Sequence, residues 1–312
     1  LFTYLDNLLV AKIKRMNYIL YNSNTLPHHI NDCISNIRKA DPNSNVYLIS
    51  DKETKYKKVT SIVRSDITSD QTQDIINLDI YKNTNYEKNP LWEASLIRIF
   101  ALRDLVGRHN LQDIIHFDND VLIYIKADEV ADLFIKNKVN ITRLNEKELV
   151  FGYSYFYDFN ILDNLCNRLY ELIINKFHDK NWKNNPLNEM RLLQMIYNEK
   201  PELFNILNSY PLKNNAYVFD PAVYGQIVGG SHFRPRRLTP KRVYKVGSVD
   251  TRRRYLPRGG WLDVSHEVTD KFLTDKTKLT FKNKVPFLKN KNGTFKIVNL
   301  HIHSKELRKY KL

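Results

Sequence analysis

The sequence predicts an α/β protein whose central sheet is mostly parallel, twisted and covered by helices on both faces. Strand-like and helix-like segments alternate over the first 150 residues, an order typical of βαβ units whose connecting helices pack back onto the sheet. The segment from Asp113 to Ile125, DIIHFDNDVLIYI, is apolar enough for a strand in the middle of that sheet. Its two central aspartates therefore need an explanation, because buried carboxylates are costly unless something pairs with them.

Each element of the first half follows from its pattern of apolar residues. Strands are predicted where apolar residues alternate or run together, and a helix where they recur with helical period, as from Trp92 to Gly107. In chain order the predicted strand, helix, strand, strand, helix and strand are MNYILYNSN, LPHHINDCISNIRKA, NVYLISD, KKVTSIVRS, WEASLIRIFALRDLVG and DIIHFDNDVLIYI.

The second half is regular at first and then changes character. A helix is predicted in DEVADLFIKNK, strands in NITRL and LVFGYSYFY, and helices in ILDNLCNRLYELIINKF and PLNEMRLLQMIYNE. From Asn214 the segment AYVFDPAVYGQIVGGSHFRPRR predicts loops beside a pocket. Near the end a hairpin is expected to turn at Asn292 and Gly293, and its second strand leads to His301 and His303. Since neither a repeat nor a linker interrupts the chain, one domain over residues 1–312 is expected.

The charge of the chain is concentrated in its C-terminal part. The 312 residues are 42% hydrophobic, which is enough to bury a sizeable core. Residues 232–258 and 271–312 hold 22 basic side chains against 3 acidic ones, a net +19, so the rest of the chain carries −4 of the total +15. Such a surface attracts polyanions in general, including nucleic acid, anionic lipid headgroups and phosphorylated small molecules.

Cysteine usage and hydropathy indicate the compartment. Cys33 and Cys166 are far apart and match no zinc or redox spacing, which favours a reduced intracellular location. No apolar run approaches the roughly 18 residues that a membrane span needs, and Asp6 and Lys12 come too early for a signal peptide. The predicted location is cytoplasmic, with peripheral contact with a membrane left open.

Asp118 and Asp120 are the first candidate site. Ligands of open α/β sheets bind at the carboxyl ends of strands, and IIHF delivers both aspartates to such an end. In extended backbone, residues two apart point the same way, so both carboxylates can reach one Mg²⁺ or Mn²⁺ ion. The alternative is an Asx turn or a capped strand end.

The C-terminal NLHIHSK supplies a second set of ligands. His301 and His303 alternate with apolar residues and share a face if the segment is extended, and Lys305 can continue that line towards a phosphate. Imidazole suits Mn²⁺ better than Mg²⁺, which favours manganese if a histidine joins the aspartates. Two hydrogen-bonded structural histidines remain the alternative.

These motifs resemble those of a known family. HFDNDVLIY after an arginine-bearing helix, with NLHIHSK near the C-terminus, resembles the metal-dependent nucleotide-sugar glycosyltransferases of the glycosyltransferase-A fold, in which a DxD motif and often a C-terminal histidine hold the metal on the donor diphosphate. LYNSNTLP looks like the family's first strand and nucleotide loop, and FDPAVYGQIVGG like an acceptor-side loop. The resemblance implies a Rossmann-like central sheet with a C-terminal hairpin and loop region completing the site. Residues 1–150 would bind the nucleotide sugar and residues 151–312 the acceptor.

The resemblance also implies roles for single residues. Asp118 and Asp120 receive the metal and ribose contacts. His303, in preference to His301, becomes the third metal ligand, and Lys305 a phosphate contact.

A second group would contact the rest of the donor. Arg98 would lie near it, and Asn22, Ser23 and Asp51 near the base and ribose. The alternatives are a surface arginine on an amphipathic helix and ordinary turn formation.

Transfer to an acceptor hydroxyl requires further groups. Glu189 and Asp220 are the candidates for a carboxylate base, with a helix-terminal carboxylate and a turn former as their respective alternatives. An inverting and a retaining reaction both remain open.

The acceptor side is predicted from aromatic residues and glycines. Tyr224, Trp261 and Asp263 are expected there, although Trp261 could equally be core. The glycines of GQIVGG are expected to let a loop approach a sugar closely.

The favoured hypothesis is a glycosyltransferase that uses a nucleotide sugar, with UDP preferred by the resemblance, Mn²⁺ or Mg²⁺, and a glycan or glycolipid acceptor. The basic C-terminal surface, including Arg252, Arg253, Arg254 and Arg258, would handle an anionic acceptor or membrane. One rival is a metal-dependent nucleic-acid-processing enzyme, which the chain supports poorly because no helix-turn-helix, RNP or zinc-finger pattern is present. A second rival is a non-catalytic protein that binds glycans or anionic membranes.

Overall fold

The computed structural model describes residues 15–179, 181–229 and 277–312. The strands are β1 (Asn17–Asn22), β2 (Asn45–Ser50), β3 (Thr60–Val63), β4 (Ile114–Phe117), β5 (Val121–Ile123), β6 (Val139–Asn145), β7 (Glu148–Phe156), β8 (Phe204–Ile206), β9 (Tyr217–Val218), β10 (Lys278–Lys282), β11 (Val285–Asn290), β12 (Gly293–Ile297) and β13 (Asn299–His301). The helices are α1 (Ile30–Ala40), α2 (Arg64–Ile67), α3 (Asp70–Leu78), α4 (Leu91–His109), α5 (Phe159–Phe177), α6 (Glu189–Glu199) and α7 (Tyr224–Gly229).

A mostly parallel sheet of seven strands lies at the centre, in the order β3-β2-β1-β4-β7-β6-β8. The pairs from β3 to β4 and the β6–β8 pair are parallel, whereas β7 runs antiparallel to both β4 and β6. A four-stranded sheet has the order β10-β11-β12-β9, and β13 pairs with β5 in a small separate ladder. The predicted α/β class and mostly parallel sheet are confirmed.

Helices cover both faces of the main sheet because its strands are apolar on both sides. In β1, Leu20 packs in one hydrophobic cluster with Cys33 of α1, whereas Ile19 packs in a second cluster with Ile99 of α4. Alternate residues of a strand point to opposite faces, so one short strand takes part in both cores. The buried positions of α1 are Ile30, Cys33, Asn36, Ile37 and Ile34, which form one face of the helix.

The segment from Asp113 to Ile125 is not one strand, which corrects the prediction. β4 ends at Phe117, and the amide of Val121 donates to the carbonyl of Asp118 at 2.9 Å, which closes a tight turn. After the turn the chain leaves the main sheet, because β5 pairs with β13 instead. The apolar run is therefore buried in two different ladders.

Two further expectations about secondary structure were wrong. The helix predicted from Asp128 is a 3-10 turn over Ala127–Leu133, which ends where Phe134 becomes extended and stacks on Tyr155 with 4.4 Å between ring centroids. The segment predicted as loops from Asn214 contains β9 and the short helix α7. The predicted hairpin is present, but its turn lies one residue earlier than expected: Asn290 pairs with Gly293, so Lys291 and Asn292 form the turn and Gly293 begins β12.

Within the described ranges, none of the helices combines the length and the apolar character that crossing a bilayer requires.

Candidate active site

The Asp118-Asn119-Asp120 turn is anchored to two strands of the main sheet. The amide of Asp118 donates to the carbonyl of Gly152 in β7 at 3.2 Å. The side-chain amide of Asn119 donates to the carbonyl of Tyr21 at the end of β1, at 2.9 Å. The middle residue of the motif therefore holds the turn in place, and the two aspartates on either side of it are presented together.

Asp118, Asp120 and His301 form a cluster that fits a divalent metal ion. One ligand atom from each residue lies within 4.8 Å of the others. The Nε2 atom of His301 is 3.0 Å from Oδ1 of Asp120 and 3.9 Å from Oδ2 of Asp118. Two carboxylates and one imidazole form a donor set that suits Mn²⁺ and, less well, Mg²⁺.

His301 reaches this cluster because β13 pairs with β5, placing His301 opposite Val121, the residue that follows Asp120. Although the resemblance favoured His303, the geometry places His301 beside the carboxylates. The ring of His303 stacks on that of His301, with 4.3 Å between centroids, and its Nε2 lies 3.3 Å from the side-chain amide of Gln226.

Two basic side chains balance the carboxylates. Arg98, which is 8% exposed on α4, forms an ion pair with Asp118 and donates to Oε1 of Glu189 at 2.9 Å. Lys305 forms an ion pair with Asp120. Burial alone would raise the pKa of Asp120, but His301 and Lys305 hold that pKa well below its usual range.

Glu189 lies at the start of α6 and is 4% exposed. Burial raises the pKa of its carboxyl group, while Arg98 and the helix amide of Met190 act in the opposite direction. A buried carboxylate with a raised pKa can act as a proton acceptor near neutral pH.

These residues line a cavity of about 720 Å³, a size typical of sites for small molecules and cofactors. Among the residues predicted to bind the donor or the metal or to act as the base, all except Asp51 and Asp220 belong to its wall. The wall members from the predicted set are Asn22, Ser23, Arg98, Asp118, Asp120, Glu189, His301, His303 and Lys305.

Asp51 braces the loop that follows β1. Its carboxylate accepts from the amide of Asn24 at 2.7 Å and from Nε of Arg64 at 2.9 Å. The geometry therefore gives Asp51 an indirect role, since it holds the part of the loop that faces the cavity.

Asp220 is 2% exposed, and its carboxylate is surrounded by backbone amides. Oδ1 accepts from Val223 at 2.6 Å and Tyr224 at 2.7 Å, and Oδ2 accepts from Gly225 at 2.8 Å and His301 at 2.9 Å. These bonds begin α7 and fix the backbone of His301. The arrangement does not place Asp220 where an acceptor hydroxyl could meet it, so the geometry favours a positioning role over a base.

Of the residues predicted at the acceptor site, Tyr224 lies away from the cavity wall, and the others lie outside the described residues. Tyr224 is fully buried and donates its hydroxyl to the carbonyl of Ser209 at 2.5 Å, so it does not contact a ligand in the cavity. Trp261 and Asp263 lie outside the described residues, as do the arginines at positions 252–254 and 258.

Two glycines have roles that the sequence analysis missed. A Cβ atom on Gly152 would lie 2.9 Å from Oδ2 of Asp118 and 3.5 Å from Nδ1 of His301, so glycine makes room for the carboxylate there. A Cβ atom on Gly225 would collide with the backbone carbonyl group of His301, so this glycine makes room for the protein's own backbone and not for a sugar. A glycine inside a strand pattern, as at Gly152, signals such a close approach.

Buried polar atoms at the cavity wall were also missed. Among the described residues, Oη of Tyr21, Nδ1 of His29 and Oδ1 of Asn119 have no hydrogen-bond partner, and all three residues line the cavity. Unpaired buried polar atoms are costly, and their concentration at one wall is typical of a binding site.

Several solved structures of glycosyltransferases align with this structure. Mouse xyloside xylosyltransferase 1 aligns with a TM-score of 0.44 and 14% identity over 66% of this chain and 88% of that one. The glycosyltransferase GlyE of Streptococcus pneumoniae TIGR4 aligns with a TM-score of 0.39 and 9% identity over 65% of this chain and 47% of that one. The galactosyltransferase LgtC, in complex with donor and acceptor sugar analogues, aligns with a TM-score of 0.40 and 9% identity over 62% of this chain and 74% of that one.

No protein-family model matches the chain, and a search of curated proteins finds no match. At these identities and TM-scores, the similarity to the solved structures concerns the fold alone.

Proposed function

We propose that this protein is a metal-dependent glycosyltransferase that moves a sugar from a nucleoside-diphosphate sugar, with UDP as the favoured nucleotide, to a hydroxyl group of a glycan or glycolipid. The observation that carries the proposal is the convergence of Asp118, Asp120 and His301 at the wall of a cavity that also contains Arg98 and Lys305. Its support is this donor set together with the motif resemblance.

Asp118, Asp120 and His301 would hold Mn²⁺ or Mg²⁺. When bound, the ion would supply positive charge that stabilises the departing nucleoside diphosphate. Lys305 and Arg98, which pair with the two aspartates, would add positive charge on the same side of the cavity. Basic groups fixed before the reaction stabilise developing negative charge without reorganising.

Glu189 is the proposed catalytic carboxylate because it faces the cavity and its pKa is raised by burial. In an inverting reaction it would accept the proton of the acceptor hydroxyl. In a retaining reaction it would stabilise the cationic sugar from the protein side. Arg98 fixes its orientation in either case.

The test is a panel of sugar nucleotides assayed for Mn²⁺-dependent hydrolysis and transfer. Wild type is compared with Asp120→Ala and with Asp132→Ala, a change at an exposed aspartate outside the cavity. We expect turnover of at least one sugar nucleotide, its loss in Asp120→Ala and its retention in Asp132→Ala. Nuclease activity that depends on Asp118, without any turnover of sugar nucleotides, would instead support the nucleic-acid-processing rival.

A further inference from the structure

The strands β10, β11 and β12 form a lysine-rich sheet outside the cavity. Residues 278–296 contain six lysines and no aspartate or glutamate. The hairpin between β10 and β11 turns at Asn283 and Lys284, both with positive φ (49° and 66°), as a tight two-residue hairpin requires. Within the described part of the chain, none of the six lysines forms an ion pair.

The strand register places four of these lysines on one face of the sheet. Leu288 pairs with Leu279 and Phe295, and Leu288 and Phe295 are buried in the core, so this row points inwards. The neighbouring rows point the other way. The outward rows contain Lys278, Lys282, Lys289 and Lys296, with Phe287 among them, and this set is called the basic face below.

The arrangement of lysines on the basic face destabilises the pairing of β10 with β11. Lys278 lies directly opposite Lys289 in the antiparallel register, and both side chains are exposed. Like charges directly opposite each other destabilise a strand pair. An anionic partner would offset this repulsion, whereas solvent only screens it.

We propose that the basic face docks on an anionic phospholipid surface. Within it, Phe287 is partly exposed and lies in the same row as Lys296, whereas Phe281 belongs to the opposite face and stacks on Tyr310. Lysines bind lipid phosphates and carboxylates, while an aromatic ring at the same level partitions into the headgroup region.

Single-stranded nucleic acid is the less favoured partner, because it needs open aromatic rings on which bases can stack. Of the two rings that the described strands place on this face, Phe287 is partly buried, and Tyr217 already carries the ammonium group of Lys296, 5.7 Å from its centroid.

The basic face is joined directly to the cavity. β12 ends at Ile297 and is followed by β13 with His301, while β9 is followed by Ala222 and Gln226, which line the cavity. Docking here would hold the candidate active site close to a lipid surface. The inference does not depend on the proposed transferase activity, since it rests only on charge, register and exposure.

The experiment is sedimentation of the 312-residue chain with phosphatidylcholine vesicles, with or without phosphatidylserine. The test variant carries Lys278→Gln, Lys282→Gln and Lys289→Gln. A control carries Lys57→Gln, Lys147→Gln and Lys200→Gln, which removes the same charge from exposed lysines outside this sheet. We expect binding only with phosphatidylserine, a loss of about a hundredfold in the test variant, and little change in the control.

A second variant, Phe287→Ser, keeps every charge and should weaken vesicle binding about tenfold, as expected for an aromatic ring that becomes buried against lipid. Equal thermal midpoints of all variants establish that folding is unchanged. Absence of wild-type binding to phosphatidylserine vesicles, or equal losses in the two triple variants, would overturn the proposal. The proposal would also be overturned if the wild type bound single-stranded RNA but not vesicles, and if the test variant lost that RNA binding.

Discussion

The backbone amide of His301 donates a hydrogen bond of 2.9 Å to Oδ2 of Asp220, a residue that the sequence suggested as a catalytic base. The same carboxylate accepts from three amides at the start of α7. Asp220 therefore connects a helix to the strand that carries the candidate metal ligand, and its importance is structural.

Asp220→Asn should destabilise the protein by about 3 kcal/mol, since an amide replaces a charged acceptor that holds several buried donors. Chemical denaturation measures this loss. Residual activity should keep the wild-type pH profile, because the substitution displaces His301 without removing a base. A stable variant whose rate loses its acidic limb would show that Asp220 acts as the base.

The two C-terminal histidines should differ sharply in metal binding. His301→Gln is expected to lower Mn²⁺ affinity about a hundredfold or more, because the imidazole that faces Asp120 at 3.0 Å is lost. His303→Gln should change it little and serves as the matched control. Electron paramagnetic resonance of free Mn²⁺ measures both affinities, and the reverse order would transfer the ligand role to His303.

Gly152 should be required for metal affinity. Gly152→Ala places a methyl group 2.9 Å from Oδ2 of Asp118, so that carboxylate must move, and we expect Mn²⁺ affinity to fall about tenfold. Gly107→Ala is the control, because its methyl group would crowd the Phe159 ring at 2.7 Å. The control should lose about 1–3 kcal/mol of stability with unchanged metal affinity. Equal affinities in both variants would contradict this role of Gly152.

Glu189→Gln should remove one source of the pH dependence of stability, together with activity. Because burial raises the folded-state pKa of Glu189, the folded state holds its proton more tightly, and stability falls as pH rises through the range between the usual and the raised pKa. The variant should lack this fall in stability with rising pH and should lose activity at least about a hundredfold.

Thermal unfolding at several pH values and the transfer assay measure these two effects. Glu199→Gln, at an exposed position of the same helix, is the control and should change neither the pH dependence of stability nor the activity. An active Glu189→Gln variant whose stability changes with pH as in the wild type would contradict both the raised pKa of Glu189 and its catalytic role.

His116 should make the fold sensitive to acid. It is buried in β4 with Nδ1 2.8 Å from the carbonyl of Ile19, and burial lowers its pKa to about 3. The unfolded chain takes up a proton near its ordinary pKa of about 6.5, so stability is lost as pH falls below that value. We expect a loss of about 2 kcal/mol between about pH 6.5 and about pH 5.

His116→Gln keeps a donor towards Ile19 but cannot titrate in this range, so it should flatten that part of the pH dependence. Urea denaturation at each pH gives the two curves. If the free energies of unfolding of wild type and His116→Gln fell in parallel with pH, the loss of stability would arise from other titrating groups.

Local patterns in the sequence were sufficient for the α/β class, the mostly parallel sheet and, to within one residue, the hairpin between β11 and β12. Each depends on residues close together in the chain, where apolar periodicity and turn residues act directly. The same patterns marked Asp118 and Asp120 as a candidate site. The break of the apolar run into β4 and β5 was not visible, since both strands are equally apolar and only their pairing partners differ.

The tertiary structure alone decided which distant groups meet. It brought Lys305 to Asp120 across 185 positions, placed His301 rather than His303 beside the carboxylates, and removed Asp220 and Tyr224 from the cavity wall. These outcomes depend on the β13–β5 register and on the close approach at Gly225. No local pattern encodes them, because long-range pairing is selected by the packing of the whole chain.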